Sequence, residues 1–378
     1  MNTIIEKLNG IIEEHTSDIH IKENKEIWYR KINKMLKKEI IVHKQEILDF
    51  AKVYLEESKY NYFLNGNSVD FSLGLAGYRF RANMYYEKDG IGIALRKINN
   101  YIPTLGEIGI PQSLREYLLK DQGLILICGS TGSGKSTTLA SMINFINQNK
   151  QCHIITLEDP IEYEFSNDKS LITQIEIGKD SPNWKEAIKN ILRQDPDIIV
   201  VGEIRDMETM STVLTLAETG HLVFSTLHTI GAINALNRVV EIYPTDQQKQ
   251  VNLQLSMALQ FVLSQKLLER KDGKGKVAAR DILINTSLVS EHIQKNELKK
   301  IFPILETGSK YGMQTMERDL VKIIEKGIVS LETAKQFANN PRLLENMYYS
   351  GQTLNSAKPI TIERQKLNDP KELNSNNY

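Results

Sequence analysis

The chain has 378 residues, more than a single hydrophobic core usually serves, so we expect two domains. Lysine and arginine together number 47, as do aspartate and glutamate, so no overall charge favours nucleic acid or an anionic membrane. The only cysteines are Cys128 and Cys152, and no apolar run approaches the roughly 18 residues of a membrane helix, which excludes a disulfide framework and a transmembrane protein.

The first 98 residues carry the patterns of a small α+β domain. The opening segment has early acidic residues and no apolar core of signal-peptide length, so we expect no export and a cytoplasmic location. A short opening helix is predicted from five apolar residues on one face: Ile4, Ile5, Leu8, Ile11 and Ile12. Two strands are predicted at 18–21 and 27–32, and a helix at 45–55.

Two arginines project side by side from a strand predicted at 78–84. Apolar side chains alternate there with Arg79 and Arg81, which therefore share the opposite face. A further strand at 91–96 places Arg96 near its end. In an isolated domain, a solvated strand face would explain all three arginines.

A linker follows at 99–112, where turn residues cluster in 99–103 and 109–111. We place the second domain at 113–349. In that domain apolar strand patterns alternate with helical stretches, which is typical of a parallel sheet with crossover helices.

Residues 129–136 (G-S-T-G-S-G-K-S) fit the phosphate-binding pattern G-x-x-x-x-G-K-[ST] without a mismatch. An apolar strand at 123–128 precedes the motif, and an amphipathic helix follows it. Glycines let the backbone curl around phosphate oxygens, Lys135 would reach the β- and γ-phosphates of ATP, and Ser136 would hold Mg²⁺. The predicted nucleotide-binding residues are Gly129, Ser130, Thr131, Gly132, Ser133, Gly134, Lys135, Ser136 and Thr137.

Three predicted strands of this domain end in polar residues. The strand at 153–157 leads into Glu158, the strand at 197–201 into Glu203, and the strand at 221–227 into His228. Ligands of open α/β sheets bind outside the carboxyl ends of the strands, so we expect these residues to meet at the phosphate loop.

Hydrolysis of ATP needs a metal, a carboxylate for water and cations around the transition state. We assign Glu203 to Mg²⁺ and to water positioning, and Glu158 to general base catalysis with Asp159 in support. We predict that His228 senses the γ-phosphate. His221 lies seven residues earlier, about 23 Å along an extended strand, and is left to a subunit contact or a capping role.

A nucleotide site changes the interpretation of the N-terminal arginines, because arginines offered to a γ-phosphate stabilise phosphoryl transfer. Arg193 and Arg205 flank the Glu203 segment and could meet phosphate or a neighbouring subunit. Asp195 and Asp197 precede the strand and are interpreted as turn and cap residues.

The remaining segments carry less chemistry. A helix is predicted from 247 to 265, with Leu255, Leu259, Val262 and Leu263 on its packed face. Residues 271–276 (K-D-G-K-G-K) favour a solvated hairpin turn over a nucleic-acid contact. Residues 350–378 have few apolar anchors, which predicts a disordered tail.

Together the motifs resemble the type II/IV secretion ATPase family, and its type IV pilus retraction branch in particular. Four segments carry the family resemblance: 16–21 (T-S-D-I-H-I), 155–163 (I-T-L-E-D-P-I-E-Y), 192–206 (L-R-Q-D-P-D-I-I-V-V-G-E-I-R-D) and 220–229 (G-H-L-V-F-S-T-L-H-T). The retraction branch is indicated by 306–316 and 340–344. Two cysteines cannot build the four-cysteine zinc insert that assembly and type II secretion motors usually carry.

The resemblance implies an α/β fold: a RecA-like P-loop ATPase domain with a mainly parallel sheet, preceded by a smaller α+β PAS-like domain. It also implies a homohexameric ring at the inner face of the cytoplasmic membrane that acts with an inner-membrane platform protein of the pilus machine and contacts the membrane only through that partner. Arg81 and Arg96, with Arg79, take the role of arginines that reach the nucleotide across the domain interface.

Two segments depart from the family pattern. Residues 174–178 (Q-I-E-I-G) replace Q-R-E-V-G, and residues 288–295 (L-V-S-E-H-I-Q-K) replace A-I-R-N-L-I-R-E, a segment associated with retraction. The sequence therefore predicts an ATPase that powers pilus retraction and twitching motility, with pilus assembly or type II secretion as the alternative within the family. A RecA-like nucleic-acid translocase and a nucleotide-binding regulatory scaffold are the alternatives from other classes.

Overall fold

The computed structural model describes residues 4–13, 16–31, 34–98, 101–204 and 206–356, apart from the side chains of 351–356. Asn99 and Asn100 of the predicted linker, Arg205, and residues 357–378 of the predicted tail lie outside the described residues. Within the described ranges the chain forms two sheets, and each sheet has its own apolar core. No helix in these ranges is both long enough and apolar enough to span a bilayer.

The first sheet is formed by six strands of the described N-terminal residues, and every neighbouring pair is antiparallel. The strands are β1 (Thr16–Lys22), β2 (Glu26–Lys31), β3 (Lys34–Ile41), β4 (Val69–Leu75), β5 (Tyr78–Glu87) and β6 (Gly90–Lys97), and the helices are α1 (Ile4–Leu8), α2 (Lys44–Tyr54) and α3 (Glu57–Leu64). The order of the strands in the sheet is β3-β2-β1-β6-β5-β4.

The alternation predicted for β5 is observed. Phe80, Ala82 and Met84 are fully buried in the core, while Arg79 and Arg81 lie on the other face. The sequence analysis missed β3, an edge strand whose side chains are almost all exposed. Lysine-rich edges of this kind protect a sheet against further pairing, and they carry little apolar periodicity.

The second sheet is formed by described residues that follow the first sheet in the chain. Its strands are β7 (Gly123–Cys128), β8 (His153–Glu158), β9 (Leu171–Glu176), β10 (Ile198–Val201), β11 (Leu222–Leu227), β12 (Leu259–Glu269) and β13 (Lys276–Ile284). Their order in the sheet is β13-β12-β7-β11-β10-β8-β9. All neighbouring strands are parallel except the antiparallel edge pair β12 and β13, which confirms the predicted fold class.

Helices cover this sheet and extend beyond it. They are α4 (Arg115–Leu118), α5 (Lys135–Asn149), α6 (Trp184–Ile191), α7 (Met207–Glu218), α8 (Ala232–Glu241), α9 (Thr245–Ala258), α10 (Ser287–Gln294), α11 (Ile301–Thr307), α12 (Met316–Glu325), α13 (Leu331–Phe337) and α14 (Pro341–Ser356). Short 3₁₀ turns lie at Gln112–Leu114, Leu298–Lys300 and Gly308–Tyr311. Helices α12 to α14 form a separate small core against Leu268 and Ala279 of the β12/β13 hairpin.

The helix predicted at 247–265 is wrong in its second half. Helix α9 ends at Ala258, and the strand β12 begins at Leu259. Strand β12 lies between β7 and β13 and is buried on both faces, so its apolar residues form a nearly continuous run that also satisfies helical spacing. The predicted hairpin turn at 271–276 is confirmed, since Arg270 N donates to Gly275 O (3.1 Å) between the paired strands.

Candidate functional site

The phosphate-binding loop connects β7 to α5, and its backbone needs glycine. Gly129, Gly132 and Gly134 have φ values of 150°, 76° and 86°. A Cβ atom at Gly129 would lie 2.5 Å from the carbonyl oxygen of Gln265, so only glycine fits. The loop is thereby pressed against β12.

Gln265 of β12 braces this loop, a role that the sequence analysis missed because it placed this residue in a helix. Its buried amide Nε2 donates to Ser133 O (2.7 Å), and its Oε1 accepts from Thr138 Oγ1 (2.8 Å). Only the pairing of β12 with β7 brings a residue 132 positions away in sequence to the loop.

Lys135 is curled into the loop that it follows. Its Nζ donates to Gly129 O (2.9 Å) and to Ser130 O (3.1 Å). Burial lowers the pKa of Lys135, against the opposing effect of negative charge at Glu162 and Glu203. The ammonium therefore lies among carbonyls of the loop, close enough to Glu162 and Glu203 for their charges to act on it.

The three predicted strand ends converge, as expected. Glu158, Glu203 and His228 line one cavity of about 450 Å³ together with Arg96. Six of the nine predicted nucleotide-binding residues also line it: Thr131, Gly132, Gly134, Lys135, Ser136 and Thr137. The carboxyl ends of β8, β10 and β11 thus meet at the phosphate loop.

His228 and Glu203 lie beside each other in this cavity. His228 Nε2 is 3.4 Å from Glu203 Oε2, and the His228 side chain is half exposed while that of Glu203 is mostly covered. His221 lies at the other end of β11, where its Nδ1 is 3.2 Å from Leu216 O. The structure therefore separates the two histidines, and only His228 lines the cavity.

Glu158 is tightly held by its neighbours. Its Oε1 accepts hydrogen bonds from Thr156 Oγ1 (2.7 Å) and Gln174 Nε2 (3.1 Å), and its Oε2 is 3.4 Å from the backbone N of Glu162. Burial raises the pKa of Glu158, and the hydrogen bonds only partly oppose this effect. This carboxyl group is thus fixed in place at the cavity wall.

The sequence analysis missed Glu162, which lines the cavity together with Glu158, Asp159 and Glu203. Glu162 is exposed, it lines the cavity, and its charge acts on Lys135. Among the described residues no hydrogen-bond donor is assigned to its carboxylate. The neighbouring Tyr163 hydroxyl lies 2.8 Å from Thr137 Oγ1, which ties this segment to α5.

The three N-terminal arginines have three different surroundings, and only Arg96 of the three lines the nucleotide cavity. Arg96 lines the nucleotide cavity, and Arg81 lines a neighbouring cavity of about 250 Å³ that shares the Asp159 and Pro160 walls. Arg79 forms ion pairs with Glu164 and with Glu176 (3.3 Å) and so joins β5 to the second sheet.

Asp195 and Asp197 take local roles. Asp195 adopts a left-handed turn with a φ of 54°, and Asp197 Oδ2 accepts from His153 N (2.8 Å). Neither residue lines the nucleotide cavity.

The residues present fit a nucleotide with magnesium. Ser136 and Glu203 line the cavity, and the buried Ser133 Oγ has no hydrogen-bond partner among the described residues. Nowhere in the described ranges do three or more His, Cys, Asp or Glu side chains cluster as a metal cage. Mg²⁺ is usually bound by one or two side chains together with waters and substrate phosphates, and Ser136 and Glu203 are side chains of the required kind.

Comparisons with known proteins identify the family of the chain. The family described as "Type II/IV secretion system protein" matches residues 1–355. The chain is 41% identical to the "Type IV pilus retractation ATPase PilT" of Pseudomonas aeruginosa, over 72% of this chain and 79% of that protein. It is 39% identical to the "Twitching motility protein" of Neisseria gonorrhoeae, over 78% of this chain and 79% of that protein.

Solved structures give the same result. The crystal structure of the pilus retraction motor PilT with bound ADP matches with a TM-score of 0.85 and 40% identity, over 91% of this chain and 99% of that one. The ATPase DotB of Legionella pneumophila matches with a TM-score of 0.76 and 27% identity, over 88% and 93% of the two chains. The resemblance drawn from the sequence is confirmed: the chain belongs to the type II/IV secretion system protein family and is an ATPase of its pilus-retraction kind.

Proposed function

We propose that this ATPase is a homohexameric motor that powers the retraction of type IV pili. The convergence of Glu203, His228 and Arg96 on the phosphate-loop cavity carries this proposal, because it is the arrangement that ATP hydrolysis requires. The names of the relatives, which refer to pilus retraction and twitching motility, support the type IV pilus as the structure on which the motor acts. The proposal includes a position at the inner face of the cytoplasmic membrane and an inner-membrane platform protein as partner.

Deletion of the gene in its native cell tests the direction of work. Longer or more numerous surface pili with lost twitching would support retraction. Bald cells would instead assign this ATPase to pilus assembly.

ATP is bound in this proposal by the loop and by Lys135. Backbone N–H groups of the glycine loop and the N-terminus of α5 face the phosphates, and Lys135 leaves the loop carbonyls for phosphate oxygens. Ser136 and Glu203 would hold Mg²⁺, which when bound neutralises charge on the phosphates. His228 lies next to Glu203 and reports the γ-phosphate to the loop that follows β11.

Two carboxylates of the segment after β8 are candidates for the general base that accepts a proton from the attacking water. We assign proton transfer to Glu162, because its carboxylate is exposed to the cavity and near the Lys135 charge. Glu158, the base predicted from the sequence, already accepts hydrogen bonds from Thr156 and Gln174. In this proposal Glu158 positions the segment that carries Glu162. Glu158 is also the alternative candidate for the general base, and substitutions at the two residues distinguish the two candidates.

The arginines connect hydrolysis to movement of the N-terminal domain. Arg96 reaches the nucleotide cavity of its own chain, and Arg81 stands one strand away beside the shared Asp159 wall. Closure of the domain on the nucleotide would bring Arg81 to the phosphates as well, and release would follow hydrolysis. In this proposal the ion pair of Arg79 with Glu176 is kept during closure and acts as the hinge contact.

A further inference from the structure

The face of the N-terminal sheet that carries Arg96 holds a row of charged residues on adjacent strands. Strand pairing sets Arg96 opposite Asp18, Asp18 opposite Arg30, and Arg96 opposite Arg81. Residues directly opposite each other in antiparallel strands share a face of the sheet. One carboxylate therefore lies within a row of three arginines.

Asp18 binds Arg96 through one particular nitrogen. Arg96 Nε donates to Asp18 Oδ1 (2.9 Å), while Ser17 Oγ donates to Oδ2 (2.8 Å) and Arg30 Nε lies 3.6 Å from the same oxygen. The Asp18 side chain is only 15% exposed, whereas that of Arg96 is 77% exposed. The long arginine side chain is thus held at its inner nitrogen by a covered carboxylate.

This geometry leaves the far end of the guanidinium available. Bonding through Nε leaves the two terminal nitrogens with four N–H groups, and no described residue accepts a hydrogen bond from them. Arg96 also lines the nucleotide cavity. The free edge of the guanidinium is the edge that binds a phosphate oxygen pair in bidentate fashion.

The carboxylate stays ionised at neutral pH. Burial by itself raises the pKa of Asp18, but the hydrogen bonds from Arg96 and Ser17 and the charges of Arg96 and Arg30 lower it below its ordinary value.

We propose that Asp18 is a positioning residue for ATP hydrolysis: it anchors Arg96 by Nε so that the terminal nitrogens of the guanidinium face the γ-phosphate. Arg30 contacts the second oxygen of Asp18 and keeps the carboxylate in place. An unanchored arginine would have to order several rotatable bonds at the moment of reaction, and Asp18 does this in advance. The inference rests on the proposed role of Arg96.

The test measures ATP turnover of the full chain as a function of ATP concentration for D18N, R96Q and the double variant. We expect D18N to lower kcat about 10-fold and to change the KM for ATP by less than about 2-fold, because the lost interaction is made in the transition state. The double variant should be no slower than R96Q alone, since Asp18 acts through Arg96. D89N is the matched control: Asp89 pairs with Lys25 on the same domain, neither residue lines the cavity, and turnover should stay unchanged.

Full turnover by R96Q would overturn the proposed role of Arg96 and this inference with it. If R96Q is slow but D18N turns over ATP at the wild-type rate, the inference is wrong while the role of Arg96 stands. The inference is also wrong if D18N lowers turnover by the same factor in the R96Q variant as in the wild type. The variant R96K tests the inference without any substitution at Asp18, so the result does not depend on whether D18N folds. Lysine offers one charged nitrogen and cannot bind Asp18 and phosphate through separate nitrogens, so R96K should be as slow as R96Q, and recovery of turnover by R96K would contradict the inference.

Discussion

Among the described residues four carboxylates line the cavity, and two of them, Glu158 and Glu162, are compared by replacing each with its amide. The two substitutions distinguish the general base, which accepts a proton, from the residue that holds the segment in place. The substitutions are Glu162→Gln and Glu158→Gln, which keep side-chain size and remove one charge each. We expect E162Q to bind ATP and to lose turnover by about 10²–10⁴-fold, the usual contribution of a general base. We expect E158Q to lose less than about 10-fold, because it changes the support of the segment and not the proton acceptor.

The smaller loss for E158Q follows from its contacts. A glutamine keeps the oxygen that accepts from Thr156 at 2.7 Å and from Gln174 at 3.1 Å. It replaces only the oxygen that lies 3.4 Å from the backbone N of Glu162, a long contact of little energy.

Stability against pH provides an independent check. The folded-state pKa of Glu158 is raised, so its ionisation costs folding stability as pH rises through that pKa, and the glutamine does not pay this cost. We therefore expect E158Q to be at least as stable as the wild type at pH 8, with the difference shrinking toward pH 4.

The assays are steady-state phosphate release, nucleotide binding by fluorescence titration and thermal unfolding at both pH values. A large loss of turnover in E158Q together with near-normal turnover in E162Q would refute this reasoning and return the role of general base to Glu158. If E162Q failed to bind ATP, Glu162 would be needed for binding as well as for turnover, and the assignment of a purely catalytic role to Glu162 would be wrong.

Three further outcomes are expected. E203Q should bind ATP and hydrolyse it at least about 10²-fold more slowly at saturating Mg²⁺, and full turnover would contradict the assigned chemistry. R79Q should weaken the contact between the two sheets by about 1–3 kcal/mol, because it removes the charged hydrogen bond to the buried Glu176, and limited proteolysis and thermal unfolding would detect this change. Burial raises the pKa of Asp281 from 3.8 to about 6, so the wild type should lose stability relative to D281N as pH rises through that range, which unfolding at pH 4 and pH 7 would measure.

Local sequence patterns predicted much of the nucleotide site. The glycine loop is specific in itself, and Glu158, Glu203 and His228 could be brought together because the carboxyl ends of parallel strands share one edge of a sheet. The prediction needed only the identity of the strands, and not their order. The alternation around Arg79 and Arg81 also correctly separated the buried face of β5 from its polar face, because successive side chains of a strand point to opposite faces of the sheet.

The residues that sequence analysis missed depend on long-range pairing or on a loop conformation. Gln265 reaches the phosphate loop because β12 pairs with β7, and its apolar neighbours satisfy helical and strand patterns alike. Glu162 lies four residues after the end of a strand, where no periodicity fixes the direction of a side chain. A signal for Glu162 was present in the segment 155–163, which contains three carboxylates within five residues, but only the structure distinguishes the held carboxylate from the exposed one.

The departure at 174–178 spares the two residues of this segment that contact Glu158 and Arg79. Strand β9 alternates, so Gln174 and Glu176 face the polar contacts with Glu158 and Arg79, while Ile175, which takes the place of the family's arginine, packs against the apolar core. The retained residues are the ones that make the contacts around the cavity.

The departure at 288–295 lies elsewhere in the fold. Helix α10 buries Val289 and Ile293 and packs on α9, where Ser290 Oγ donates to Ser256 O (2.8 Å). None of its residues lines the nucleotide cavity. The segment that the family resemblance ties to retraction therefore lies apart from the cavity at the phosphate loop, and the loss of its arginines does not change the residues that line that cavity.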